Sequence, residues 1–295
     1  MTNPSTVGED FQVNGTSLYT LAYNIWTLAG REQTPPVVGD NIAIPYRNGR
    51  VWKPKTFDQR TLTLGMWVIG TDVNGVVPAQ GMRAQLNSNL RTLKRLFAPR
   101  GAQLALQRTL KFVTGTEVHT ALGDAYNPSS GGFAAGGGGL GSDQWDFTPV
   151  TQTYGTFTVD IVMADPWWYG PQQTPTLTST GLTVTSSGDV EHDHPVITLN
   201  GPLTNPRVSN TSVLPFVQVW YNGTINSGHY LTLDCGAFTA IDDLTNSQVG
   251  NVFHAGSVHW MVLEPGNNVM TLDRFDTGGN PGTGNAVITY SPPYT

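Results

Sequence analysis

The sequence is short of several features that would point to particular classes of protein. It contains one cysteine, Cys235, so no internal disulfide bond can form and nothing indicates an oxidising compartment. No apolar run approaches the about 18 residues that a membrane-spanning helix requires, and residues 1–12 lack the basic and apolar segments of a secretory signal. We therefore expect a protein that is made and kept in a cytosol and has no membrane span.

Charged side chains are scarce and unevenly distributed. They make up 12% of the 295 residues, about half of the roughly 25% that is usual in soluble domains. Residues 1–111 carry thirteen Lys and Arg against six Asp and Glu, a net charge of +7, whereas residues 112–295 carry two against fifteen, a net charge of −13. Such asymmetry predicts charged partners. Because no nucleic-acid-binding motif accompanies the basic residues, we expect complementary protein surfaces rather than sequence-specific recognition of nucleic acid.

The basic residues that we expect at such an interface belong to a predicted hairpin and to the end of a predicted helix. They are Arg47, Arg50, Arg91, Lys94 and Arg95. The last three also have a local explanation, since cations in the final turns of a helix are stabilised by about 0.3–1 kcal/mol each through the helix dipole. The sequence leaves both interpretations open.

Alternating apolar residues predict several strands in the first half of the chain. Residues 61–69 place Leu62, Leu64, Met66 and Val68 on one face, and residues 103–113 place Leu104, Leu106, Leu110 and Phe112 on one face. A further strand is predicted at residues 156–163. Residues 42–47 and 50–55 are predicted to form a hairpin, because Asn48-Gly49 supplies the two positive-φ positions of a type I′ turn.

Helical periodicity is convincing in one segment, residues 78–97. Its apolar residues recur at intervals of three and four, and they are Met82, Leu86, Leu90, Leu93 and Phe97. Pro99 is expected to end the helix. With one helix among many strands, the fold should be mainly β.

The second half of the chain is typical of a β-sandwich or jelly roll, with short strands between Gly, Asn and Pro turns. We predict these strands near residues 195–199, 216–221, 229–234, 258–263, 269–272 and 286–290. Asp165-Pro166 and Gly170-Pro171 interrupt the ladder between the halves, which predicts domains at residues 1–169 and 170–295. Residues 172–187 are expected to be a linker or an edge strand.

The order of these parts resembles the distal tail proteins of long-tailed phages, the siphoviruses. The N-terminal part of the resemblance comprises Gly39-Asp40, the Asn48-Gly49 hairpin, R-T-L-T-L at residues 60–64, the single helix and A-D-P-W-W-Y at residues 164–169. The C-terminal part comprises Gly188-Asp189, P-V-I-T-L-N-G at residues 195–201, Asn205-Pro206-Arg207, Y-L-T-L-D-C at residues 230–235 and W-M-V-L-E-P-G-N-N at residues 260–268.

The resemblance implies both a fold and a role. The fold would be an N-terminal β-sandwich or barrel-like domain of the tail-tube type with one helix, followed by a galectin-like β-sandwich. The role would be that of a structural virion protein at the tail tip, which forms a ring, hexameric in the family, between the tail tube protein and the tail-tip hub. Receptor-binding proteins are further expected partners. The glycine-rich residues 127–142, which alone predict a flexible loop, would be an extension toward a neighbouring subunit.

No combination of residues supports catalysis, so we expect neither an enzyme nor a cofactor. Glu191-His192-Asp193-His194 is the best metal candidate, but a third ligand such as His229, His254 or His259 would have to come from a distant strand. A solvated loop is the alternative for this segment. Cys235 follows an alternating strand, so it is predicted to be a buried core residue rather than a nucleophile.

A carbohydrate-binding module that recognises host surface glycans is the main alternative function. Asn205-Pro206-Arg207 resembles a galectin motif, although Leu203 stands in the place of its histidine and no W-G-x-E segment accompanies it. The candidate saccharide-binding residues are Arg207, Trp220 and Tyr221. A hydrolase with an unrecognised site is a third hypothesis, for which the sequence offers no G-x-S-x-G motif and no paired carboxylates.

Overall fold

A computed structural model of the protein describes residues 9–30, 33–38, 42–43, 50–51, 56–98, 103–112, 115–126, 146–178, 181–257, 259–275 and 283–295. The chain divides into two compact units, Met1–Trp168 with Thr295, and Tyr169–Tyr294. Antiparallel strands predominate in both, and one α-helix occurs among the described residues. The prediction of a mainly β fold with a single helix is therefore confirmed.

The first unit is built on one long sheet. Its elements are β1 (Glu9–Val13), β2 (Thr16–Ser17), β3 (Tyr23–Ala29), β4 (Val37–Val38), β5 (Ile42–Ala43), β6 (Arg50–Val51), β7 (Thr56–Phe57), β8 (Arg60–Ile69), α1 (Met82–Phe97), β9 (Leu104–Phe112), β10 (Gly115–Tyr126), β11 (Asp146–Pro149) and β12 (Tyr154–Met163). The strand order is β2-β1-β9-β10-β12-β8-β3, and β11 also pairs with β12. At the ends of this order β2 and β3 share no ladder in the described ranges, but an isolated antiparallel bridge joins Tyr19, just after β2, to Asn24 of β3.

Two adjacent strands, β8 and β12, supply much of the core of the first unit. Leu62, Leu64, Met66 and Val68 are completely buried, as the alternation predicts. β12 pairs with the whole of β8, from Tyr154 opposite Ile69 to Met163 opposite Arg60, and its own apolar residues are also buried. The opposite face of β8 meets solvent, because period-two geometry sends alternate side chains to opposite faces.

The helix is shorter at its N-terminus than the periodicity predicts. It begins at Met82 rather than at residue 78, because Gly81 has a φ of 83°, a left-handed conformation that a right-handed helix cannot contain. Its buried residues are Leu86, Asn89, Leu93, Leu96 and Phe97, whereas Met82 and Leu90 are half-buried. The predicted C-terminal end is correct, since Ala98, the residue before Pro99, is extended.

The predicted hairpin at residues 42–55 is found with a different register. β5 pairs with β6 antiparallel, with Ile42 opposite Val51 and Ala43 opposite Arg50. A two-residue turn at Asn48-Gly49 would instead place Ala43 opposite Pro54, so the predicted register was wrong. Asn48 and Gly49 themselves lie outside the described residues.

Strand β9 departs from its predicted apolar face in its second half. Leu104 and Leu106 are buried, but Leu110 is half-buried and Phe112 is 55% exposed. Arg108 is the buried residue that follows Leu106 on this face. Its Nε donates to Nδ1 of His119 on β10 at 3.1 Å, and its Cζ lies 4.9 Å from the centroid of the Trp168 ring. Because a guanidinium can only donate, Nδ1 of His119 is unprotonated in this contact.

The second unit contains two six-stranded antiparallel sheets. After β13 (Trp168–Tyr169), the strands are β14 (Thr176–Leu177), β15 (Leu182–Ser186), β16 (Val196–Asn200), β17 (Leu203–Asn210), β18 (Val217–Tyr221), β19 (Thr224–Ile225), β20 (Tyr230–Asp234), β21 (Thr239–Asp242), β22 (Ser247–Gln248), β23 (Val252–Ala255), β24 (Gly266–Phe275), β25 (Asn285–Thr289) and β26 (Pro293–Tyr294). One sheet has the order β14-β25-β16-β20-β21-β22. The other has the order β15-β24-β17-β18-β23, and β19 pairs with β17.

One hydrophobic core joins these two sheets into a sandwich. The first sheet contributes buried residues such as Leu199 and Ile288, and the second contributes Val208, Val219 and Leu272, all to the same cluster. Apolar area removed from water stabilises this arrangement by roughly 25 cal/mol per Å². The outer face of each sheet is thereby left for solvent or for a partner.

One expectation about the second unit was wrong, and the strand β17 was missed. Residues 258–263 were predicted to be a strand, but Met261, Val262 and Leu263 are buried without a ladder, and Leu263 makes an isolated bridge to His192. Conversely, β17 was not predicted, because it runs through Asn205-Pro206, which are turn-forming residues. Within residues 172–187, β15 is an edge strand that pairs with β24, which favours the edge-strand interpretation for that part.

Candidate functional site

Helix α1 presents a cationic face to solvent. Arg83, Arg91, Lys94 and Arg95 are exposed, and the helix sequence contains no Asp or Glu. At 3.6 residues per turn these four residues span about 120° of the helix circumference, on the side opposite the buried stripe. Lys94 and Arg95 lie in the last turn, where positive charge opposes the partial negative charge of the helix end.

This face brings together three of the five predicted interface residues. Arg47 lies outside the described residues, and for Arg50 the structure describes the backbone of β6 alone. Arg83 was missed by the sequence analysis, although its spacing of eight residues from Arg91 was a usable signal. A groove of about 400 Å³ adjoins the first turns of α1. It is lined by Arg83, Leu86 and Asn87 of the helix and by residues 149–152.

A second candidate site lies on the outer face of the second sheet of the sandwich. Register places four side chains in one row across four strands, in the order Asp273, Arg207, Trp220 and Phe253. Val208, Val219 and Leu272 alternate with them and face the core. The row therefore points outward.

The members of this row contact one another in pairs. Nε of Arg207 donates to Oδ2 of Asp273 at 2.8 Å, and Nη2 of Arg207 contacts the same oxygen. The rings of Trp220 and Phe253 are stacked, with centroids 5.7 Å apart and planes at 23°. A charged pair thus adjoins an aromatic pair on one surface.

The row borders a groove of about 400 Å³ lined by Asn205, Arg207, Gln218, Trp220 and Asp273. A β-bulge in the pairing of β17 with β24 lies between Thr204 and Arg207, and Asn205 has a φ of 47°. Bulges re-aim side chains and are frequent near functional sites. Two of the three candidate saccharide residues, Arg207 and Trp220, meet in this groove, whereas Tyr221 packs against the hydrophobic core.

The segment 191–194 does not form the chelating pair that its spacing suggests. His192 is buried, which is the main reason that its pKa is lowered to about 4, with a further contribution from the charge of His194 and an opposing one from Asp193. His194 is exposed, and its Nδ1 lies 2.6 Å from Asp193, whose other oxygen is 3.3 Å from Nδ1 of His259. In the part of the chain that the structure describes, no three or more His, Cys, Asp or Glu side chains are grouped to hold a metal ion.

The lone cysteine is placed where the sequence analysis expects it. Cys235 is completely buried in the core of the sandwich, and burial together with the charge of Asp234 raises the pKa of its thiol. Since the thiolate is the nucleophilic form, this environment makes the side chain unreactive.

Among the described residues, no helix is long and apolar enough to cross a membrane.

The sequence matches no protein-family model and no curated protein. The structure, by contrast, resembles solved structures. The crystal structure of SPP1 Dit (gp 19.1), a protein described as a paradigm of the hub adsorption apparatus in phages that infect Gram-positive bacteria, aligns with a TM-score of 0.58. The alignment covers 96% of this chain and 98% of that chain at 14% sequence identity. The chain has the Dit fold.

The Dit fold assignment applies to nearly the whole chain, because almost the full length of both chains is aligned. The predicted resemblance to distal tail proteins is thus confirmed at the level of the fold. Two structures of the phage P2 baseplate in its activated conformation, with Ca and with Sr, align over 95% and 96% of this chain at 8% identity. Their TM-scores of 0.34 and 0.31 are too low to add to the assignment.

Proposed function

We propose that this chain is a distal tail protein, a structural component of a phage tail tip that links the tail tube to the tail-tip hub. The observation that carries the proposal is the Dit fold, shared over 96% of the chain with a protein described as belonging to a hub adsorption apparatus. The role needs no reaction and no cofactor. Its location is the virion, at the tip of the tail.

The proposed assembly is a homo-oligomeric ring, hexameric as in the family. In a ring, one surface of each subunit contacts a different surface of the next, and the contact closes when the rotation between subunits is correct. The cationic face of α1 supplies one surface for such a contact. Residues 169–294 hold two Arg against nine Asp and Glu, so every copy also carries an acidic second unit of opposite charge.

Each unit has its own part in the proposal. The first domain, residues 1–169, forms the ring against the tail tube protein. The glycine-rich residues 127–142 lie outside the described residues, and the extension expected of them stays a prediction. The second domain, residues 170–295, is a galectin-like sandwich that braces the hub or carries receptor-binding proteins. The observed two-sheet sandwich with a single core supports this assignment of the second domain.

The test uses the purified full chain in size-exclusion chromatography with light scattering, followed by negative-stain microscopy. We expect rings with six times the 31.8 kDa mass of the chain, either alone or after addition of the cognate tail tube and hub proteins. A chain that stays monomeric at high concentration and binds neither tail protein would refute the proposal. Removal of the cationic face, described below, separates specific assembly from aggregation.

A further inference from the structure

The outer face of the second sheet carries a site that the proposed assembly does not use. Across four strands the row Asp273, Arg207, Trp220 and Phe253 borders a groove of about 400 Å³, within the range of about 300–1,000 Å³ that is usual for small-molecule sites. We propose that this groove binds a neutral saccharide unit.

The aromatic pair provides the platform for such a ligand. Trp220 lines the groove and is half-buried, and its ring is stacked on that of Phe253, which remains 46% exposed. The faces of aromatic rings carry partial negative charge. The C–H groups on the apolar face of a pyranose carry partial positive charge, so they complement an indole face as well as bury apolar area against it.

The polar residues of the groove match the hydroxyl groups of a sugar. Gln218 and Asn205 each offer an amide donor and acceptor, and a sugar hydroxyl can both donate and accept. Arg207 contacts Asp273 through Nε and Nη2 on a single oxygen, so neither contact uses Nη1 of Arg207 or Oδ1 of Asp273. Vicinal hydroxyls suit such a set, because one can accept from the guanidinium while the next donates to the carboxylate.

The charge of the groove selects a neutral ligand. Arg207 and Asp273 are its charged lining residues, and their charges cancel within the pair. An anionic sugar would approach the carboxylate of Asp273, and it would compete with that carboxylate for a guanidinium that is already paired. A neutral hexose meets neither obstacle.

The backbone of the site is shaped rather than regular. The bulge between Thr204 and Arg207 inserts an extra residue into β17, and the left-handed φ of Asn205 turns its side chain to the rim of the groove. Left-handed conformations are uncommon for residues other than glycine, and they occur often at functional positions. A plain sheet face would need neither feature.

Saturation-transfer NMR on the full chain tests the proposal. The probes are the methyl glycosides of glucose, galactose and N-acetylglucosamine, with glucuronic acid and sialic acid as anionic probes. We expect transfer to at least one neutral glycoside and weaker transfer to both acids. Trp220→Ala should weaken binding about tenfold, since it removes the aromatic platform. Arg207→Lys should also weaken it, because lysine lacks the planar fork.

Trp67→Ala is the matched control for the tryptophan variant. Trp67 is also an outward-facing tryptophan on a sheet, stacked on Tyr154 with centroids 6.0 Å apart, but it lies in the first unit. This variant should bind as the native chain does. Gln218→Ala provides a milder change within the groove, should Trp220→Ala fail to fold.

Three results would overturn the proposal. They are the absence of transfer to every neutral glycoside, a preference for the two acids, and equal losses in Trp67→Ala and Trp220→Ala. The inference does not depend on the ring, since the groove belongs to a single subunit. A monomer that binds glycosides would support the groove while refuting the ring, and a ring without glycoside binding would do the reverse.

Discussion

Among single residues, Asn89 determines how the helix is attached to the sheet. It is buried on α1, and its Nδ2 donates to the carbonyl oxygens of Ile69 at 2.7 Å and Thr71 at 2.9 Å. Its Oδ1 accepts from Nε2 of Gln85 at 2.9 Å. The side chain thus satisfies backbone acceptors at the point where the β8 ladder ends.

Replacement of Asn89 by leucine should therefore destabilise the first unit. Asn89→Leu leaves two backbone carbonyls without this donor, so we expect the free energy of unfolding to fall by about 1–3 kcal/mol. Urea titration followed by far-UV circular dichroism measures the change. Asn87→Leu, at an exposed position on the same helix, is the control and should change the free energy by less than about 0.5 kcal/mol. Equal effects of the two variants would contradict the role assigned to Asn89.

His192 makes the stability of the second unit depend on pH. Burial lowers its pKa from 6.5 to about 4, so the unfolded chain binds a proton more readily than the folded chain does. The free energy of unfolding should be highest above about pH 6.5 and should fall by up to about 3 kcal/mol as the pH drops to about 4. Thermal melts across this range measure the effect.

A histidine substitution isolates this contribution from the titration of the nearby carboxylates. His192→Leu should flatten the pH dependence between about pH 4 and 6.5, because no proton is then taken up at this position on unfolding. His254→Ala is the control, since His254 is exposed. The explanation fails if both variants keep the slope of the native chain.

At the scale of elements, the start of α1 and the end of β8 approach each other at backbone distance. A Cβ atom on Gly70 would overlap the carbonyl oxygen of Met82, the first residue of the helix. The residue after β8 must therefore be glycine for the helix to lie where it does. This close approach complements the hydrogen bonds of Asn89, about two helical turns further on.

Gly70→Ala should displace the helix and lower the free energy of unfolding by about 1–3 kcal/mol, the usual effect of overpacking. Gly115→Ala is the matched control at the start of β10, where an added Cβ would meet no heavy atom within 4 Å. We expect that variant to melt at nearly the temperature of the native protein. Chemical denaturation of both proteins distinguishes these outcomes, and a harmless Gly70→Ala would show that the helix can shift freely.

Strands and the helix could be predicted from the sequence where the burial of one face produces a regular alternation of apolar residues. β8 is buried on one face, so its alternation is visible in the sequence. β17 was missed because Asn205-Pro206 favours turns, yet proline fits at a bulge, where its missing N–H is not needed by the ladder. Residues 261–263 are apolar because they are buried, and burial does not require pairing.

The sequence also could not predict which residues from distant strands come together at the candidate site. Arg207 and Trp220 were predicted individually from their types and neighbours in the sequence. Asp273 and Phe253 were not, because they join the row only through the register of β24 and β23 with the strands between them. Register across several strands depends on packing of distant segments, which no local pattern encodes.

For the whole molecule, the charge asymmetry of the sequence does not coincide with the two units. Residues 1–168 hold thirteen Lys and Arg against twelve Asp and Glu, and residues 169–294 hold two against nine. The first unit is therefore nearly neutral, and four of its thirteen Lys and Arg lie on the face of α1, which has no Asp or Glu. The second unit is acidic as a whole.

Reversal of charge on this face should prevent the proposed ring from forming. Arg91→Glu with Lys94→Glu places repulsive charge against an acidic neighbour, so light scattering should show monomers where the native chain forms rings. The monomer itself should lose only about 0.5–1 kcal/mol of stability, mainly because Lys94 lies in the last turn, where a negative charge interacts unfavourably with the helix dipole. Arg91→Lys with Lys94→Arg keeps the charges and should keep the ring. Rings that persist after charge reversal would exclude this face from the subunit contact.

The burial of Cys235 also makes the chain convenient for labelling. Maleimide dyes react with thiolates, and the raised pKa and complete burial of this thiol protect it at neutral pH. A second cysteine placed at exposed Asn87 would then take up the dye selectively, with no need to remove the native one. Fluorescence energy transfer between copies labelled in this way would report how close the helices of adjacent subunits come during assembly.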